Sequence, residues 1–211
     1  FKRAPGFFDT VCYEGNGQAT HELPHNLGTY PEMAWVKARD GAYPWPVYCK
    51  YTHPTATNQN YRLDLSTDAY RNGGSSYFPF ATSPDSFPVG SATHVNKAGI
   101  DYTAYLFASV PGICDIGSYT GTGNTIAVNC GFTTGVRFVL IKRTDAAGDW
   151  MYFDTLRGIS SGLNPMLKLN TADAQESVSG VRQSASGRGF DATNETTTSI
   201  RDATYIYMAI A

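Results

Sequence analysis

The sequence predicts an all-β protein made of two tandem, similar β-sandwich or jelly-roll-like repeats packed together. Three observations predict it. The 211 residues carry 14 Tyr, 21 Gly and 11 Pro, a balance that favours strands joined by tight turns. No window of 11 residues holds a 3.6-residue apolar period, and residues 171–177 offer one helical turn at most. The third and strongest observation is that the second half of the chain repeats the first.

The repeat is read from landmarks in the same order. Phe8-Asp9-Thr10-Val11-Cys12-Tyr13-Glu14-Gly15-Asn16-Gly17 answers to Cys114-Asp115-Ile116-Gly117-Ser118-Tyr119-Thr120-Gly121-Thr122-Gly123. Met33-Ala34-Trp35-Val36-Lys37 answers to Phe138-Val139-Leu140-Ile141-Lys142, and Trp45-Pro46-Val47-Tyr48 to Trp150-Met151-Tyr152-Phe153. Leu63-Asp64-Leu65 matches Leu167-Lys168-Leu169, and residues 102–108 match 205–211. The offset drifts only from 106 to 103, which chance does not produce. Residues 7–108 and 114–211 are thus two β-repeats joined by a linker, 109–113, with 1–6 a linker from a preceding segment. The opening Phe1-Lys2-Arg3-Ala4-Pro5-Gly6 has neither an initiator Met nor an apolar signal region, so the chain reads as internal or processed. Two arrangements fit these halves: a sandwich in each, or one shared core. The five-residue linker favours two units side by side.

Each element follows from local chemistry. Residues 7–13 and 114–119 read as strands and end in Gly-Asn-Gly and Gly-Thr-Gly, turns that would begin hairpins to return strands at 18–23 and 125–129, which show partial alternation. Phe138-Val139-Leu140-Ile141 is a continuous apolar run of strand length, as in a strand covered on both faces. Asp40-Gly41 and Ala147-Gly148-Asp149 turn the chain into the strands that hold Trp45 and Trp150. The closing strand of each half, 102–108 and 205–211, is dense in aromatic and small residues.

Composition excludes several functions. Charged residues make up 16% and the net charge is −2, with no basic stripe to bind nucleic acid. No apolar run approaches the length that spans a membrane as a helix. The cysteines, Cys12, Cys49, Cys114 and Cys130, lack a Cys-x-x-Cys pair and read as free thiols packed as small hydrophobes. They make no zinc-ligand pattern with His21, His25, His53 and His94, so no metal or cofactor is expected.

Catalytic patterns fare no better. Gly158-Ile159-Ser160-Ser161-Gly162 matches the G-x-S-x-G nucleophile elbow. That motif needs a strand-to-helix turn and a later His, and every His precedes Ser160. Gly15-Asn16-Gly17 and Gly121-Thr122-Gly123 lack the third glycine and following helix of a dinucleotide loop. Carboxylates are scattered, and a glycosidase pair is recognised only in space. The sequon Asn194-Glu195-Thr196 matters only in a secreted eukaryotic chain.

Duplication also sorts the binding candidates. Trp45 with Trp150, and Lys37 with Lys142, recur in both halves and are assigned to the fold. The stretch 70–80, Tyr-Arg-Asn-Gly-Gly-Ser-Ser-Tyr-Phe-Pro-Phe, has no counterpart of the same kind. Tyr with Gly, Ser and Asn is the chemistry of adaptable recognition loops, and Tyr70, Arg71 and Tyr77 are the candidate contacts. The competing reading folds this loop back to bury Phe78 and Phe80. The second half offers Arg182, Gln183, Ser184 and Arg188 at 179–188, without an aromatic residue.

Several strings carry a family resemblance. They are Phe1-Lys2-Arg3-Ala4-Pro5-Gly6-Phe7-Phe8-Asp9, His25-Asn26-Leu27-Gly28 with Pro31-Glu32-Met33, and Gly117-Ser118-Tyr119-Thr120-Gly121-Thr122-Gly123. To these add Arg137-Phe138-Val139-Leu140-Ile141-Lys142-Arg143-Thr144-Asp145, Gly148-Asp149-Trp150 and Thr204-Tyr205-Ile206-Tyr207-Met208-Ala209-Ile210-Ala211. Together they resemble an uncharacterised duplicated β-domain of tailed bacteriophages, often marine or cyanobacterial, found in tail-fibre and virion-surface proteins. Cys49 stands where that pattern usually has His, and Asp64 follows Leu63 where it has Leu-Asn. The resemblance brings no catalytic or binding residues. It implies a non-enzymatic virion module made in the host cytoplasm, most simply part of a tail fibre or spike that attaches to a host-surface glycan or protein. The implied partners are other virion proteins and copies of itself in a homo-oligomer such as a trimer. A purely structural capsid or tail component and a glycan-degrading tail enzyme are the alternatives.

Overall fold

The computed structural model describes residues 2–52, 61–73, 76–79, 81, 83–159, 162–193 and 196–211. Phe1, His53, Gly74, Ser75, Phe80, Ser160, Ser161, Asn194 and Glu195, named above, lie outside the described residues. The chain divides into two compact units, Phe1–Ser66 with Arg71–Ser109 and Thr67–Tyr70 with Val110–Ala211.

The first unit runs β1 (Phe8–Glu14), β2 (His21–Pro24), β3 (Met33–Ala38), β4 (Pro46–Cys49), β5 (Tyr61–Asp64), β6 (Asn72–Gly73) and β7 (Ser86–Val89). A single helical turn, α1 (Thr93–Asn96), then leads into β8 (Asp101–Phe107). The second unit holds β9 (Cys114–Thr120), β10 (Ile126–Asn129), β11 (Phe138–Arg143), β12 (Trp150–Asp154) and β13 (Asn164–Lys168). It continues with β14 (Glu176–Val178), β15 (Val181–Gln183), β16 (Gly189–Ala192) and β17 (Thr204–Ile210).

Both units use one plan. Six antiparallel strands form the large sheet, in the order β1-β8-β3-β4-β5-β6 in the first unit and β9-β17-β11-β12-β13-β14 in the second. A small sheet covers one face: β2-β7 in the first unit, β10-β16-β15 in the second. Strand alternation then builds the core. Ala34, Val36 and Ala38 of β3 and Tyr102, Ala104 and Leu106 of β8 turn to one face and meet Leu23, Phe87 and Val89 of the small sheet. Val139, Ile141, Tyr205, Tyr207 and Ala209 meet Val128, Val181, Phe190 and Ala192 in the same way. β11 is buried from Val139 through Lys142, so its continuous apolar run does mark a strand covered on both faces.

The duplication extends to hydrogen bonds. Tyr13 stacks on Tyr102 with ring centroids 5.2 Å apart, and Tyr119 stacks on Tyr205 at 5.0 Å. Tyr102 Oη donates to the Thr93 carbonyl at 2.7 Å and accepts from Lys97 N at 3.0 Å. Tyr205 Oη donates to the Thr197 carbonyl at 2.9 Å and accepts from Ile200 N at 3.2 Å. Leu65 N donates to the Trp45 carbonyl at 2.9 Å, and Leu169 N to that of Trp150 at 3.0 Å, so the tryptophans hold one position in both units.

Two expectations need correction. The Gly-x-Gly segments do not close hairpins, because β1 pairs with β8 and β9 with β17, while β2 pairs with β7 and β10 with β16. They carry the chain from the large sheet to the small one, under the loop before the last strand. Gly15 N donates to the Ile100 carbonyl and Gly121 N to that of Ala203, both at 2.8 Å. A Cβ on Gly15 would sit 2.2 Å from the Lys97 carbonyl oxygen, and one on Gly121 2.1 Å from that of Ile200. Close approach is what these two glycines supply. The one helical turn that 171–177 allowed at most does not form either: Glu176–Val178 is β14, held by pairing with β13. The helical turn that does form, Thr93–Asn96, carried no apolar period to announce it.

Candidate functional site

The edge of the first unit's large sheet gathers the aromatic and cationic residues that the second unit does not repeat. β5 alternates, so Arg62 and Asp64 point to one face and Tyr61 and Leu63 to the other. The segment after β6 then folds back over β5. Phe78 enters the core fully buried, as the fold-back reading required, and its neighbour Tyr77 lies half-buried at the core's rim.

Tyr77 is held from two sides. The Arg62 guanidinium covers its ring at 3.9 Å, and its hydroxyl lies 3.0 Å from His94 Nδ1 on α1. Burial lifts the Tyr77 phenol above its ordinary pKa while the nearby Arg62 charge acts the other way. Tyr43 completes the cluster, with its ring centroid 5.9 Å from that of His94. Arg71 forms a second stack, over Tyr61 at 5.1 Å, and its Nη1 donates to the Thr52 carbonyl at 3.3 Å. Tyr70 is 59% exposed and is grouped with the second unit.

Of the three expected contacts, Tyr70 is thus open to solvent, Arg71 is steered by an aromatic face, and Tyr77 is packed into the rim. Arg62, Tyr61, Tyr43 and His94 join Arg71 and Tyr77 without having been singled out for binding. Their signal lay in the repeat itself, since Tyr43 aligns with Gly148 and Arg62 with Met166. In the second unit's loop, Arg182 is paired with Asp191 at 3.0 Å, and Gln183 Oε1 accepts from Val136 N at 2.9 Å. Those two side chains brace their own unit.

A family model described as a domain of unknown function (DUF7483) matches residues 3–211. The chain belongs to that family. No curated protein and no solved structure matches this DUF7483 sequence.

The DUF7483 fold also places the groups considered for catalysis. Cys49 and Cys130 are buried, and burial pushes each thiol up to about 12, far from the thiolate that a nucleophile needs. The next strand after β12 is the antiparallel β13 rather than a helix, and Ser160 lies outside the described residues. Among the described residues, no three His, Cys, Asp or Glu side chains converge to hold a metal. Among the described residues, no helix is long and apolar enough to cross a membrane.

The second unit has a cavity instead of a tyrosine cluster at the matching place. It measures about 210 Å³ and lies beside Gly148, over Met151, Met166, Val178 and Ile200. Lys168 stands at its mouth, 2.8 Å from Glu176, 3.5 Å from Asp149 and 3.6 Å from Asp173.

Proposed function

We propose that the protein is a non-enzymatic virion module of a tailed bacteriophage, part of a tail fibre or spike that attaches to a host-surface glycan or protein. The observation that carries this reading is the asymmetry between two units built on one frame. Bonds that hold the fold recur in both. The Arg62–Tyr77 and Arg71–Tyr61 stacks belong to the first, at a sheet edge next to the loop whose composition suits recognition, while the second unit has a guanidinium–phenol stack at a different place, Arg157 over Tyr152 at 4.1 Å. Arg62 pairs with Asp64 at 3.5 Å, so Arg71 is the one that matters: stacked on Tyr61 it is pre-ordered, and beyond its bond to the Thr52 carbonyl it has donors for a carboxylate, a phosphate or sugar hydroxyls. The phage assignment itself rests on the sequence resemblance. In such a particle, many copies acting together turn weak contacts into firm attachment.

The test is binding of the labelled protein to cells that the parent phage infects, and competition with phage adsorption. Tyr70→Ala and Arg71→Ala are made singly, because Tyr77 is packed and its loss would confound stability with binding. Each should weaken attachment by about tenfold or more, as for a dominant interface residue costing ~2 kcal/mol, with the melting temperature unchanged. Undiminished attachment by both variants would place the receptor site elsewhere. Failure of the unaltered protein to attach would favour a purely structural virion part.

A further inference from the structure

Two units on one frame allow each side chain to be checked against its counterpart. His25 follows β2, and Cys130 follows β10. His25 N donates to the Asp85 carbonyl at 3.0 Å and Cys130 N to that of Arg188 at 2.9 Å, so the two residues hold one place. Two residues on, Leu27 and Phe132 are both buried. The Phe132 amide donates to the Arg188 carbonyl at 3.2 Å. The Leu27 amide donates instead to His25 Nδ1, also at 3.2 Å. A carbonyl acceptor, which does not titrate, is thus replaced in the first unit by an imidazole, which does.

That bond fixes the state of the ring. Nδ1 accepts, so the proton of the neutral imidazole sits on Nε2. His25 is 6% exposed, and Nε2 is shielded from solvent with no hydrogen-bond partner among the described residues. A second proton would go on Nδ1, opposed to the Leu27 N–H. Burial lowers the His25 pKa against the pull of the two carboxylates near it, Asp9 and Asp85. Both oxygens of Asp9 are already engaged. Its Oδ1 accepts from Thr10 N at 2.8 Å and pairs with Arg3, and its Oδ2 accepts from Asn26 N at 2.7 Å. The same loop also holds the segment that leads into β1, because Gly6 N donates to the Leu27 carbonyl at 2.6 Å.

We propose that His25 is an acid-sensitive latch, whose protonation opens the 25–28 loop and frees residues 2–7 while both large sheets stay folded. Opening brings the imidazolium to water, so proton uptake and release of the loop are one equilibrium. The ring has its ordinary pKa of 6.5 in the open form and a lower one in the closed form. The closed form therefore holds above pH 6.5, and opening gains up to about tenfold per pH unit below it. Asp9 stays charged in that window: burial acts to raise its pKa, but Arg3 and the amides of Asn26 and Thr10 hold it below its ordinary value. The latch does not depend on the attachment reading.

Amide hydrogen exchange in the full chain between pH 7.5 and 5, corrected for the intrinsic rate at each pH, reads the opening. Leu27 and Gly6 should lose protection together toward pH 5, by several-fold at least and up to about 30-fold. Phe132, bound to a carbonyl at the matching place, should not follow. His25→Asn keeps an acceptor oxygen in the place of Nδ1 and does not titrate, so the gain at Leu27 should vanish. Should that variant fail to fold, the imidazole 15N signals of the unaltered protein decide. His25 should carry its proton on Nε2 at pH 7.5, and the Leu27 amide signal should move with the same midpoint as the ring. Equal gains at Leu27 and Phe132, no gain at Leu27, or a gain that persists in His25→Asn would overturn the proposal. So would a ring that titrates without moving Leu27.

Discussion

At the scale of single residues, chemistry was legible where it is local and hidden where it depends on a distant neighbour. The four cysteines read as packed thiols from their spacing, and Cys49, Cys114 and Cys130 are buried while Cys12 is exposed. Titration of the unfolded, non-reduced protein should return four thiols; two or none would mean bridges. In the native protein a thiol reagent at pH 8 should modify Cys12 first. Cys49 and Cys130 should react orders of magnitude more slowly, since burial pushes both up to about 12 and leaves almost no thiolate. Gly15 and Gly121 show the opposite case. Their presence beside a second glycine announced a turn, yet what they accommodate is a carbonyl from residue 97 or 200, far along the chain. Tyr77 is similar: its residue type promised a contact, and only the position of Arg62 and His94 reveals a packed ring.

At the scale of elements, strands were easier to read than their pairing. The apolar run of β11 declared a strand covered on both faces, but nothing near residue 14 says that β1 pairs with a strand beginning at Asp101. The strings behind the family resemblance turn out to be nodes of this long-range pairing. Asp9 accepts from Asn26 N at 2.7 Å, and Tyr119 reaches the Thr198 carbonyl at 2.7 Å. β11 also carries a cation where apolar packing leads one to expect none. Lys142 is fully buried, donating to the carbonyls of Asp68 at 2.9 Å and Gly148 at 2.6 Å, and burial lowers its pKa from 10.5 to about 8. Between those values the unfolded chain holds a proton that the folded chain has released, so stability rises with pH there. From about pH 9 the thiols of Cys49 and Cys130, pushed up to about 12, act the other way, because the folded form keeps protons that the unfolded chain gives up. Buried phenols such as Tyr205 add to that at higher pH. The Lys142 contribution is therefore read as the difference between the unaltered protein and Lys142→Met, whose gap in unfolding free energy should move in favour of the unaltered protein between pH 8 and 10 by on the order of 2 kcal/mol. A gap that does not change with pH would mean that Lys142 titrates as an exposed lysine does.

At the scale of the whole molecule, the duplication was the most legible feature because it needs no knowledge of contacts. Landmarks in constant order became large sheets of identical strand order, with Trp45 matched to Trp150 and Tyr102 to Tyr205. The cavity was not legible, although Tyr43 opposite Gly148 stood in the alignment. What a missing side chain leaves depends on what moves in: Arg143 stands beside Gly148 at the cavity and Phe153 beside Gly180. The central claim is that one frame, bonded alike, is present twice. Amide hydrogen exchange at Lys97 and Ile200 tests it most directly, because each of these amides donates to the hydroxyl of its own unit's tyrosine, at 3.0 and 3.2 Å. Tyr102→Phe should speed exchange at Lys97 and leave Ile200 protected, and Tyr205→Phe should do the reverse to a similar extent. Loss of protection in one unit only, or at neither amide, would contradict a duplicated frame.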